Sequence, residues 1–112
     1  MKYCTAIIFI FLISQAYAQS MTVGQKNKAF VVDGKPPSTS QPLEVSIKQG
    51  ETVRFINNDD FFHNVFSLSD AKLFDLGSFP QGEYRDVTFE EKGDVEVECA
   101  IHPDMKMVIH VE

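Results

Sequence analysis

The sequence predicts an all-β chain folded as a single Greek-key β-sandwich. Two observations carry this expectation. Apolar and polar residues alternate over short segments separated by glycine-bearing turns, and no window shows a helical period. The chain has 112 residues, room for one domain.

The first element stands apart from the rest. "MKYCTAIIFIFLISQAYAQS" has Lys2, then an apolar run from Cys4 to Ile13, then small residues at Ala16 and Ala18. That is the layout of a secretory signal peptide, residues 1–18, cleaved after Ala18. The run is about ten residues, against the roughly twenty needed to span a bilayer as a helix, so no membrane span is expected. The domain is then residues 19–112, placed in the periplasm or secreted. Cys99 is the one cysteine left in it. In an oxidising compartment cysteines usually pair, so a lone one calls for an explanation.

Along that domain, "DGKPPSTSQP" (Asp33–Pro42) reads as a loop. "LEVSI" (Leu43–Ile47) and "TVRF" (Thr52–Phe55) alternate around "KQGE", which places Gly50 at a turn. "SDAKLFDLG" (Ser69–Gly77) is assigned one short helical turn. "VTF" (Val87–Phe89) and "VEVEC" (Val95–Cys99) flank a second glycine turn, and "MKMVIHVE" closes the chain as a strand. About seven or eight short strands in some ninety residues fit a Greek-key sandwich.

The formal charge is −6, and loss of Lys2 with the leader makes the domain more negative still. An acidic surface disfavours nucleic acid and anionic membranes and suits a basic protein partner.

The chemistry concentrates near the end, in "CAIHPDMKM" (Cys99–Met107). Alternation in "VEVEC" turns Val95, Val97 and Cys99 to one face and Glu96 and Glu98 to the other. Cys99 therefore ends its strand pointing inward, with His102 in the following loop. The last strand turns Met105, Met107, Ile109 and Val111 inward and leaves His110 outside with Lys106. A second imidazole is available from His63 in "FFHNVF". Two histidines, one cysteine and one methionine form the ligand set of a blue copper site: a trigonal His, His, Cys plane with a long axial methionine. The thiolate suits both oxidation states, and the axial thioether tunes the potential. A structural zinc site competes poorly, because methionine is a weak zinc donor. A cysteine nucleophile assisted by His102 has no companion acid or oxyanion turn to support it. Taken singly, C-x-x-H is a weak signal, and a lone histidine such as His63 is more often packed than ligating.

Two motifs together are more specific. "NNDDFFHNVFSL" (Asn57–Leu68) and "VEVECAIHPDMKMVIHVE" (Val95–Glu112) resemble the histidine-bearing segment and the ligand loop of plastocyanin-like cupredoxins, the small secreted blue copper proteins. With "VSIKQGETVRFIN" the similarity covers most of the domain. The resemblance implies one copper ion, cycling between Cu(II) and Cu(I), held in the plane by His63, Cys99 and His102. Asn64 would tie the two loops together, and Ala100, standing where relatives often carry Ser or Thr, would deny its side chain a hydroxyl partner. "HPDM" matches the short, amicyanin-type loop, and the tail after it has the matching length. That makes Met105 rather than Met107 the axial ligand.

The implied function is single-electron transport between redox partner proteins, without enzymatic activity, by a monomer. His102 serves as the electron port beside Pro103, and Asp59, Asp60 and Asp104 steer a basic partner. A periplasmic copper carrier would use the same ligands. A copper oxidase or reductase module would need a second copper centre with further histidines, and only His110 remains.

Overall fold

A computed structural model of the chain describes residues 19–112 and the single position Ala6. Apart from that position, the expected signal peptide, residues 1–18, lies outside the described residues. Among these, no helix is long and apolar enough to cross a membrane.

Nine strands and no helix make up the described chain: β1 (Gln19–Lys26), β2 (Ala29–Val31), β3 (Leu43–Ile47), β4 (Thr52–Asn57), β5 (His63–Ser69), β6 (Lys72–Phe79), β7 (Tyr84–Thr88), β8 (Gly93–Glu98) and β9 (Lys106–Val111). They form a four-stranded sheet, β2-β1-β4-β7, and a five-stranded sheet, β3-β9-β8-β5-β6. The chain changes sheet at almost every long connection. It returns in parallel beside earlier strands, β4 on β1 and β9 on β3, and antiparallel elsewhere. This is the expected all-β Greek-key sandwich.

Alternation is why these segments become strands. LEVSI buries Leu43, Val45 and Ile47 and exposes Glu44 and Ser46. β4 and β9 follow the same rule. The inward residues fill one core, with Phe30, Phe55, Phe79 and Phe89 fully enclosed. Gly50 turns β3 into β4 at φ 90°, a conformation that favours glycine.

One local expectation fails. Ser69–Gly77 holds no helical turn: Asp70 and Ala71 form the tight end of a β5–β6 hairpin in which Leu68 faces Leu73. The segment is short, and its apolar residues lie on both sides of the strand, so no clean alternation marks it as one.

His110 takes its expected outward place and has partners there. Its Nδ1 lies 2.7 Å from Asp94 and its Nε2 3.2 Å from Glu44. One imidazole thus spans β8, β9 and β3. The bonds to Asp94 and Glu44 raise its pKa above the usual 6.5 against a small opposing effect of burial. A raised folded pKa stabilises the fold fully below the unfolded value, and the contribution is lost as pH rises through the folded value. His110→Gln is therefore expected to lower stability at pH 6, by under about 1 kcal/mol for so exposed a cluster, and to cost nothing at pH 9. Urea melts of both proteins at the two pH values check this. A cost that does not change with pH would assign His110 a packing role only.

Candidate metal centre

Three predicted donors meet at one end of the sandwich. His63 opens β5, Cys99 follows β8, and His102 lies in the loop before β9. Their ligand atoms lie within 4.8 Å of one another. Both imidazoles turn Nδ1 toward Cys99 Sγ, each at 3.8 Å. One ion can reach donors this close together, and two imidazoles, a thiol and a neighbouring buried thioether are a donor set that suits copper.

The sequence dictates the loop that holds His102. Pro103 and Asp104 form its turn, closed by the Met105 N–H donating to the His102 carbonyl at 2.9 Å. Proline presets the backbone angle that such a turn needs at this position. The Cys99 N–H donates to the Met105 carbonyl at 3.4 Å. The β8–β9 register pairs Val97 with Met107 and Glu98 with Lys106. One step further places Cys99 opposite Met105. Both methionines are buried, but Met107 sits inside the sheet between Val97 and Leu43.

Asp59 overturns an expectation. It is buried, 3% exposed, and does not face solvent to steer a partner. Its Oδ2 lies 2.6 Å from His63 Nε2. It also accepts the N–H groups of Asn27 at 2.7 Å and Lys28 at 3.2 Å. Burial pushes the Asp59 pKa up, but the bonds from His63, Asn27 and Lys28 outweigh it and hold the carboxyl below its usual value. A charged Asp59 accepts a hydrogen bond from His63 Nε2–H, which leaves the Nδ1 lone pair facing Cys99 Sγ. A carboxylate behind a ligating imidazole fixes its tautomer and raises its basicity in this way.

The two N–H donors come from the β1–β2 turn, where Asn27 and Lys28 have φ of 53° and 56°. Two consecutive left-handed residues define the tight hairpin turn that matches strand twist. Asn57 braces the next loop: its Nδ2 donates to the carbonyls of Phe61 and Phe79, and its Oδ1 accepts from the Asp59 N–H.

Asn64 does join the two ligand segments, by a route that does not need the missing hydroxyl. Its Oδ1 accepts the backbone N–H of Ala100 at 2.7 Å. Any residue supplies that donor, so alanine at position 100 does not sever the tie.

His63, Cys99 and Met105 are enclosed, at 0%, 1% and 0% exposure, and only His102 approaches solvent. Phe61 lies against both imidazoles, at 5.0 Å from His63 and 5.4 Å from His102. Phe61, Phe62 and Ile101 are exposed apolar side chains at this end. A shallow depression beside His102 is lined by Ile101, Pro103 and Asp104 with Lys28, Ser38 and Thr39. Burial first, then the neighbouring His63 and Lys28, push the His102 pKa below 6.5, with Asp59 opposing. Both effects favour the neutral imidazole, the form that offers a lone pair.

Comparisons with known proteins agree with this centre. Residues 30–112 match the copper-binding proteins of the plastocyanin/azurin family. Amicyanin from Paracoccus versutus superposes with a TM-score of 0.68 at 26% identity, over 85% of this chain and 83% of that one. A Cu(I) amicyanin variant superposes at 0.67 and 21% identity, over 82% and 81%. A copper-containing nitrite reductase from Thermus scotoductus superposes at 0.68 and 26% identity, over 82% of this chain but 22% of that one. A search of curated proteins finds no match. The cofactor is one copper ion, and the chain belongs to the plastocyanin/azurin family of copper-binding proteins.

Proposed function

We propose that this protein is a type 1 copper electron carrier, exported after cleavage behind Ala18 to a periplasmic or secreted location. His63, Cys99 and His102 would hold the ion, with Met105 as a fourth, weaker donor. The observation that carries the reading is the convergence of both Nδ1 atoms on Cys99 Sγ at 3.8 Å. Copper supplies a one-electron couple, Cu(II)/Cu(I), between these donors. The protein's residues do the rest. Asp59 holds His63 in one tautomer, Asn64 fixes the loop after Cys99, and Pro103 stiffens the turn that carries His102. Donors fixed by such bonds rearrange little when the charge at the centre changes.

Enclosure favours a carrier of electrons over a carrier of ions. Three of the four proposed donors are buried, so an acceptor chelate would have to open the core. His102, half-buried among Phe61, Ile101 and Pro103, provides the short path to a partner. Among the described residues, His63, Cys99 and His102 are the one group of side chains placed to hold a metal, and a reductase module would require another.

The test is a visible spectrum of the mature protein with Cu(II). An intense visible band from thiolate-to-copper charge transfer supports the reading, and a weak, tetragonal spectrum removes it.

Partner docking follows from charge. Asp60 and Asp104 are exposed near the port, and Glu44, Asp75, Asp94 and Glu96 are exposed on the outer face of the five-stranded sheet. Such charges are screened over about 8 Å at physiological ionic strength. Electron exchange with a basic partner is therefore expected to slow by about tenfold or more from low to physiological salt, measured by stopped-flow spectroscopy. Rates indifferent to salt would hand docking to the apolar ring around His102.

A further inference from the structure

Gln25 belongs to β1 in the four-stranded sheet, but its side chain points into the sandwich and is fully buried. Its Nε2 donates to the backbone carbonyl of Asn64, on β5 of the opposite sheet, at 3.3 Å. The bond thus crosses the core. At its far end β5 is irregular: the register against β6 slips between Asn64 and Phe66. Such bulges take backbone groups out of the ladder, and here the Asn64 carbonyl finds its donor across the core. Asn64 follows His63 directly and binds Ala100, which follows Cys99, at 2.7 Å. One residue therefore joins both ligand segments, and Gln25 holds that residue.

The other end of the Gln25 amide is unrewarded. Oε1 is buried and has no hydrogen-bond partner among the described residues. A buried acceptor without a donor destabilises the fold. Methionine at position 25 would remove that orphan but leave the Asn64 carbonyl without the donor Gln25 now supplies, so stability alone does not select glutamine. What glutamine adds is its bond to Asn64. A local rule broken beside a site, without gain to the fold, is the mark of a functional constraint.

We infer that Gln25 is a positioning residue for the copper site, fixing through the Asn64 carbonyl the bulge that sets His63 against Cys99. The inference rests on the ligand assignment above. Its test begins without metal. In apo Gln25→Met, amide hydrogen exchange at Ala100 is expected to speed by about fivefold, the worth of one buried hydrogen bond, while the melting temperature changes little, because one unsatisfied acceptor replaces another. With Cu(II), the EPR spectrum and the potential are expected to shift. Asn64→Ala keeps the carbonyl that Gln25 binds and removes the side chain that binds Ala100; in a cycle of the two the shifts are expected not to add, because the two bonds act in series through residue 64. Unchanged exchange, an unchanged copper spectrum or additive shifts would overturn the inference. A Gln25→Met protein that melts far lower or does not fold would also overturn it, by making Gln25 a stability residue. Absence of the intense band in the unmutated Cu(II) protein would instead remove the ligand assignment, while the exchange experiment would still decide whether Gln25 holds Asn64.

Discussion

Cys99→Ser is expected to abolish the intense visible absorption of the Cu(II) protein and to leave the sandwich folded. Cys99 is the one free cysteine among the described residues, so no other thiolate there can replace it. A hydroxyl is a far poorer donor to copper, and serine stays protonated where a metal-bound thiol would not. The fold should tolerate the change because the new hydroxyl faces the nitrogens that now face Sγ, His63 Nδ1 and His102 Nδ1. It can hydrogen-bond to either, which limits the cost to about 1 kcal/mol. Absorption and circular dichroism on the same sample check both halves. Intense colour surviving in Cys99→Ser would rule out the proposed centre.

The second large effect separates the two methionines. Met105→Leu is expected to raise the reduction potential and change the EPR spectrum, and Met107→Leu to do neither. Register places Met105 opposite Cys99 and Met107 one inward pair further along, opposite Val97. Alternate residues on a strand are roughly 6.5 Å apart, so the two cannot share the position. A lost axial thioether weakens Cu(II) binding more than Cu(I). Each tenfold of that difference corresponds to about 59 mV for a one-electron couple. Leucine fills nearly the same volume, so stability should change by less than about 1.5 kcal/mol in either variant. Voltammetry on the two proteins decides. A shifted potential in Met107→Leu beside an unchanged Met105→Leu would move the axial donor to the longer loop.

Much of this was legible in the sequence because strands and soft donors both leave local traces. Alternation placed β3 at its observed bounds, and it turned Cys99, Met105 and Met107 inward. The "CAIHPDM" spacing marked the donors that one loop brings together. What stayed hidden depends on contacts between distant segments. Asp59 looked like one of two adjacent surface acids, and only the β1–β2 turn, about thirty residues earlier in the chain, encloses it. An acid four residues ahead of a histidine was the available signal, but in an irregular loop that spacing fixes no geometry. Gln25 offered no signal at all, since polar residues on strands normally face water. The hairpin over Ser69–Gly77 was missed because its apolar residues follow neither period cleanly.

The turn at Asn27–Lys28 bears on whether this centre is portable. A cassette running from Cys99 to Met107, transplanted onto another sandwich, would carry a thiolate, an imidazole and a thioether. It would not carry His63, Asp59 or the two left-handed amides that anchor Asp59, so the host would have to supply a second imidazole and its own hold on that ring. That turn lies upstream of residues 30–112, the part of the chain that matches the family. A chimaera that keeps the matched region and replaces the hairpin would retain every donor and lose the grip on one of them. Its metal chemistry would then vary with whichever hairpin it was given.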